Sequence, residues 1–285
     1  MSRPADEFAI TVRGLEGGLQ VQHIATMSPR TINAGEAIEG VLQDPDLLDF
    51  DYIPVIQDKF IVEVIERYDE SGTKLDQPQR APLTSAMLVS GSLPLAAFVP
   101  LMRQRRYWLV VQETGATGIV TRSDVLKLPI RLYAFSLVIH LETVMASLIR
   151  LLYPDGHQRW LAGLSEKRRA AIESEHKELK ARRENLTWLE LTYFTDKTLI
   201  LIDEKSVANR EIHSNLSPEW TAPEGLRETL WTIKDWRNDV AHPKNYAAND
   251  NTITGFLQTL EDAEKWIAVL QRDIDCLAGT GGQTG

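Results

Sequence analysis

The sequence is short of cysteine, of positive charge and of uninterrupted apolar runs. One cysteine among 285 residues, Cys276, excludes an internal disulfide and a cysteine-rich zinc site. Basic residues number 31 against 40 acidic ones, a net charge of −9, which argues against a chain that coats nucleic acid or an anionic membrane. The acidic excess is shared almost evenly between the parts before and after Arg131, so neither is a basic module and any nucleic-acid contact must be local. No DNA partner is expected. The greasiest stretch, residues 128–153, is interrupted by Arg131, His140, Glu142 and Arg150, which predicts an amphipathic or buried helix rather than a membrane span. The first residues carry no apolar core after a basic stretch, so no signal peptide is read and a cytoplasmic protein is expected. His23, His157, His176 and His213 lack metal-ligand spacing, and no Ser–His–Asp arrangement, Walker loop or zinc motif occurs. No metal is expected. His140 reads as a satisfied core or interface residue.

What is present is ordinary for a globular chain: 43% apolar and 25% charged residues. At ~150 residues per domain the length predicts two domains. The first half contains a repeat. Ile32-Asn33-Ala34-Gly35 matches Val89-Ser90-Gly91-Ser92, 57 positions on, and the run from Asp51 to Asp58 matches that from Arg106 to Glu113, 55 positions on. Each unit reads as short helix, strand, strand, helix, and repeats of this length are supersecondary units that bury their apolar faces against one another. Residues 70–82, rich in Pro, Gln, Ser and Asp, read as a loop.

This pattern, over residues 21–129 (units of about 21–70 and 82–129), resembles a tandem pair of cystathionine-β-synthase (CBS) domains. Its most specific piece is Gly118-Ile119-Val120-Thr121-Arg122-Ser123-Asp124. The resemblance implies an adenine nucleotide (ATP, ADP, AMP or a cyclic dinucleotide) as regulatory ligand, with Gly118 in the binding motif, Thr121 at a phosphate and Asp124 on the ribose hydroxyls. A carboxylate can accept both hydroxyls of a vicinal diol, and a helix start offers N–H groups to a phosphate. Thr121-x-x-Asp124 is equally a capping box, which needs no ligand. The first repeat has Glu63, Glu66 and Asp69 at the equivalent places. Glu66 would repel a phosphate, by ~1 kcal/mol at ~4 Å in water and more when buried. One nucleotide is therefore expected, at the second site, with a nucleoside still admissible at Asp69.

Beyond Pro129 helix signals dominate: residues 130–152, a charged stretch from Ser165 to Asn185, residues 186–202, a helix from the Pro218–Pro223 punctuation to about Ala241, and a last helix over 252–277. In the fourth of these, Leu226, Leu230 and Ile233 make an apolar stripe with Arg237 in its middle. An unpaired buried guanidinium is prohibitive, so a carboxylate, a partner chain or an anionic ligand should meet it. Pro243 ends the helix and turns His242 out of it.

Arg237-Asn238-Asp239-Val240-Ala241-His242 is similar to the Arg-x4-6-His motif of the HEPN superfamily (higher eukaryotes and prokaryotes nucleotide-binding domain). Many members are metal-independent ribonucleases whose site forms between two protomers. Glu142, in the first long helix, is a looser match to the family's acidic residue. The resemblance implies RNA (tRNA or mRNA) cut to a 2′,3′-cyclic phosphate, with no cofactor for catalysis. His242 would move protons near pH 7, Arg237 would clamp the phosphorane and Asn238 would orient the phosphate or His242. The bland reading makes Arg237 an ion-pair partner and His242 a helix C-terminal cap. The basic residues between Lys167 and Arg183 form a mixed, solvated face as readily as an RNA track.

The expected architecture is α+β: a flexible segment 1–20, a tandem CBS α/β pair at 21–129, an all-α HEPN-like helical bundle at 130–277 and a flexible tail 278–285. The expected function is a nucleotide-regulated RNA endonuclease acting as a homodimer, in phage defence, toxicity or stress control. The alternative is a non-catalytic nucleotide-sensing adaptor. A third possibility makes the bundle the partner of a nucleotidyltransferase.

Overall fold

In the computed structural model the chain is a mixed α+β protein with two small mixed sheets and, among the described residues, eight α-helices. Residues 14, 17–69, 71–113, 115–182, 184, 186–202, 223–241 and 250–280 are described. The chain divides into two compact units, one of Thr11–Ala134 with Lys244–Gln258, the other of Met1–Ile10, Phe135–Pro243 and Thr259–Gly285.

In the first unit the strands β1 (Ile32–Asn33), β2 (Tyr52–Gln57), β3 (Phe60–Tyr68) and β4 (Lys74–Pro82) form one sheet in chain order. The strands β5 (Leu88–Ser90), β6 (Tyr107–Gln112) and β7 (Gly115–Thr121) form the other. Helix α1 (Ile38–Gln43) carries the chain from β1 to β2, and α2 (Leu95–Gln104) carries it from β5 to β6. These crossovers make β1–β2 and β5–β6 parallel, while β2–β3 and β6–β7 are antiparallel hairpins. The two repeats agree in detail. β2 and β6 share one burial pattern, four buried residues and then two rising to the surface. Both hairpins shift register at the same step, Val55/Ile56 and Val110/Val111. Tyr52 of one and Tyr107 of the other meet with ring centroids 4.7 Å apart, inside a cluster with Ile61, Val64, Met87, Leu109, Ala116 and Ile119. Each sheet thus buries its apolar face on its counterpart.

The repeats diverge where they close. The first was expected to end in a short helix and then a loop. Instead β3 runs to Tyr68, turns and pairs with β4. The loop-like composition of 70–82 is that of an edge strand, where Pro78 and Pro82 are tolerated because one side of the strand has no neighbour. The second repeat closes in a 3₁₀ turn, Arg122–Leu126.

The second unit is helical. It holds the greater part of α3 (Leu128–Leu152), then α4 (His157–Leu161), α5 (Glu166–Ala181), α6 (Phe194–Ile202), α7 (Pro223–Ala241) and most of α8 (Asp250–Thr280). Among the described helices only α3 is long and apolar enough to cross a membrane, and 67% of its most apolar window is buried within the protein. His140 is buried on it, as expected. Ser165 caps α5 by accepting from the Arg168 N–H. Residues 186–193 are not helix. The Leu191 and Thr192 carbonyls there accept from the Arg168 guanidinium (3.1 Å) and the Lys197 ammonium (2.7 Å), and Asp196 takes the Tyr193 N–H (2.8 Å). Side chains thus take the backbone groups that a helix through this stretch would have paired with each other.

Candidate functional site

A cleft of about 540 Å³ in the first unit lies beside the end of β7, within the size range of small-molecule sites. Three stretches line it: Thr26 with Ser28 to Arg30, Asp49 to Tyr52, and Ile119 with Thr121 to Asp124, together with Arg106 and Ile253. The close approach of the first stretch to β7 depends on Gly118. Thr26 and Ile119 exchange both backbone hydrogen bonds (2.9 and 3.1 Å), and a Cβ on Gly118 would stand 2.9 Å from Met27 Sδ and 3.2 Å from Thr26 O. Gly118 therefore shapes the cleft wall through packing and is not itself part of the lining.

Thr121 and Asp124 come together as the sequence suggests, but first with each other. The Thr121 N–H and hydroxyl donate to Asp124 Oδ2 at 2.6 and 3.1 Å, and the Lys127 ammonium sits 2.7 Å from Oδ1. Lys127 also donates to Ile24 O (2.5 Å) and lies 3.4 Å from Thr26 Oγ1. The expected helix start is only a five-residue 3₁₀ turn, and the capping box takes the Thr121 N–H for Asp124. The cations at the cleft are Arg106 and Arg122, half-buried, and Arg30, exposed. Arg106 reaches over Gly72 to donate to Ser71 O (3.0 Å). A Cβ on Gly72, which has φ +88°, would overlap that guanidinium. Burial pushes the Tyr52 phenol up to about 12 against the pull of Arg106.

Among the described residues, the space at the equivalent place in the first repeat is far smaller. Register confirms the equivalences, since Tyr52 faces Glu66 where Tyr107 faces Thr121, and Val55 faces Glu63 where Val110 faces Gly118. All three acids are engaged. Glu63 pairs with Arg80 of β4 at 2.7 Å, and Glu66 accepts the Tyr107 hydroxyl at 2.6 Å. Asp69 accepts from Ser71 (2.6 Å) and the Thr73 N–H (2.8 Å), bonds that hold its carboxyl below the usual carboxylate range. Burial and the bond to Glu66 push the Tyr107 phenol up, so it remains a donor. The space beside Asp69 measures about 20 Å³, small beside the several hundred Å³ of ordinary ligand sites.

In the second unit Glu142 faces Lys197 at 2.9 Å. Lys197 is buried, and desolvation lowers its pKa against the opposing pull of Glu142. The pair borders a cleft of about 270 Å³ with Ile139, Thr143, Ala146, Arg150, Leu189 and Glu190. Arg168, counted among the basic residues available to RNA, is instead committed. It pairs with buried Asp196 (2.7 Å) and covers the Tyr193 ring at 4.1 Å. Arg237 is half-buried near the C-terminal end of α7, while Leu230 and Ile233 of the same stripe are fully buried. The Asn238 side chain and His242 lie outside the described residues. Among the described residues no group of three His, Cys, Asp or Glu side chains is placed to hold a metal ion.

A stack absent from the sequence reading places the Trp188 indole between His157 (centroids 4.2 Å apart) and His176 (3.8 Å). Desolvation and His176 lower the His157 pKa, while Glu173 opposes them. The folded state then favours the neutral ring. Its stabilisation is complete above the unfolded value of ~6.5 and fades as pH falls through the lowered folded value. Melting temperature should therefore drop between about pH 7 and 5, and His157→Phe, which keeps a ring on Trp188 without a titrating group, should flatten that slope in a thermal-denaturation series.

Neither a family model nor a curated protein matches this chain. The geometry alone therefore defines the class, a mixed α+β protein with a duplicated strand-rich unit bearing a cleft lined by three arginines and three aspartates, and a helical unit bearing a buried ion-pair network.

Proposed function

We propose that this protein is an adenine-nucleotide sensor whose helical unit is a metal-independent RNA endonuclease of HEPN type. The observation that carries the sensing half is the 540 Å³ cleft, which combines three arginines with the Thr121 and Ser123 hydroxyls. Guanidiniums and hydroxyls are the donors that phosphates select. The β-α-β-β order of both repeats supports the CBS-like reading, and the small space at the first site supports one nucleotide per chain. The nuclease half rests on the Arg237–His242 spacing at the end of a helix in a helical unit. The adaptor reading draws support from Glu142, whose carboxylate is tied to Lys197.

The test is purified protein with total tRNA in excess EDTA, with and without ATP, AMP or a cyclic dinucleotide. Cleavage that survives EDTA, leaves cyclic-phosphate ends and responds to nucleotide is the expected result. Intact RNA under every condition, with nucleotide still raising the melting temperature, would leave the adaptor.

A further inference from the structure

Asp124 is the residue that the sequence assigns to a ribose, yet its acceptor capacity is nearly spent. An ionised carboxylate offers about four lone-pair positions. The Thr121 N–H, the Thr121 hydroxyl and the Lys127 ammonium take three of them. A vicinal diol donating twice to one carboxylate needs two. Lys127 is no incidental neighbour, because it also donates to Ile24 O and lies 3.4 Å from Thr26 Oγ1, at the start of another stretch of the cleft lining. Asp124 is only 7% exposed and keeps one of those positions, so a diol donating twice would have to displace that ammonium or a Thr121 donor.

Lys127 has a second effect. Cancelling the Asp124 charge leaves Arg30, Arg106 and Arg122 on the lining against Asp49 and Asp51. Without Lys127 the signs would balance, and the cleft would lose its preference for anions.

Resting on the nucleotide reading above, we propose that Lys127 is the specificity-determining residue of this cleft. By occupying Asp124 it makes the site read the phosphates of a nucleotide and ignore its sugar hydroxyls. Ribose and deoxyribose forms then bind alike, and a bare polyphosphate competes with either.

The experiment is calorimetric titration of the full chain with ATP, 2′-deoxy-ATP and sodium tripolyphosphate, on wild type, Lys127→Met and Arg122→Ala. Wild type should bind ATP and 2′-deoxy-ATP within about threefold of each other, and tripolyphosphate should displace both. Lys127→Met should weaken tripolyphosphate and favour ATP over its deoxy form by about tenfold, the usual worth of a hydrogen bond to a charged acceptor. A wild-type preference of tenfold or more for ATP overturns the proposal while leaving the nucleotide reading intact, and needs no variant to fold. ATP that fails to bind, or binds undiminished by Arg122→Ala, overturns the nucleotide reading and this proposal together.

Discussion

Replacing His242 or Arg237 by alanine is expected to lower RNA cleavage in excess EDTA by ~10²–10⁴-fold each. That is the usual contribution of a positioned general acid–base group or of a group neutralising charge in the transition state. The two losses should not add, because groups acting on one transition state fail together. Arg237→Lys should fall between, since an ammonium keeps the charge and loses the bidentate fork. Gel kinetics on end-labelled tRNA measure this directly. Arg237 is half-buried near the end of α7, so its alanine variant must also be checked for melting temperature. Undiminished cleavage by His242→Ala would remove the nuclease reading, whatever Arg237 does.

The second large effect concerns Glu142. Removing one partner of a buried ion pair typically costs ~3–5 kcal/mol, because the other charge is left buried and uncompensated. Lys197 is that other charge, with its side chain 6% exposed against 26% for Glu142. Water admitted on the Glu142 side and the bond to Thr192 O moderate the loss, so Glu142→Ala should destabilise the second unit by ~2 kcal/mol, a fall of several degrees in melting temperature. Glu142→Gln keeps an acceptor and should cost about half as much. Lys197→Met should be milder than Glu142→Ala, because it removes the more deeply buried charge and leaves the carboxylate its contact with water. Thermal denaturation ranks the three. A Glu142→Ala protein with unchanged melting temperature and abolished RNA cleavage would instead make Glu142 part of the catalytic machinery.

The legible parts of the fold were those written in periodic apolar residues or in repetition. The offset of 55 between β2 and β6 was visible because both strands bury four consecutive residues, which forces the same composition twice. The long helices α3, α7 and α8 fell within a few residues of the boundaries expected from their apolar spacing and the flanking prolines. The misread segments were those whose structure depends on distant side chains. Residues 70–82 look like a loop until β3 offers its edge. Residues 186–193 look like the start of α6 until Arg168, 23 positions away, takes the Leu191 carbonyl. No local pattern announces an arginine arriving from elsewhere in the chain.

The candidate site divides in the same way. Thr121 and Asp124 stand out in the sequence, because a capping box and a nucleotide motif share one spacing. The sequence also fixes the chain's acidity, the lack of any cysteine pair, the duplicated unit and the Arg237–His242 spacing, since composition and periodicity need no third dimension. Only the tertiary structure decides how the acceptors are spent. It brings Lys127 onto Asp124, Tyr107 onto Glu66, Arg80 onto Glu63 and Lys197 onto Glu142. Three of these four pairs join residues 17 to 55 positions apart. A buried charge is compensated by whichever group the fold delivers to it, and that delivery is a property of packing rather than of local sequence.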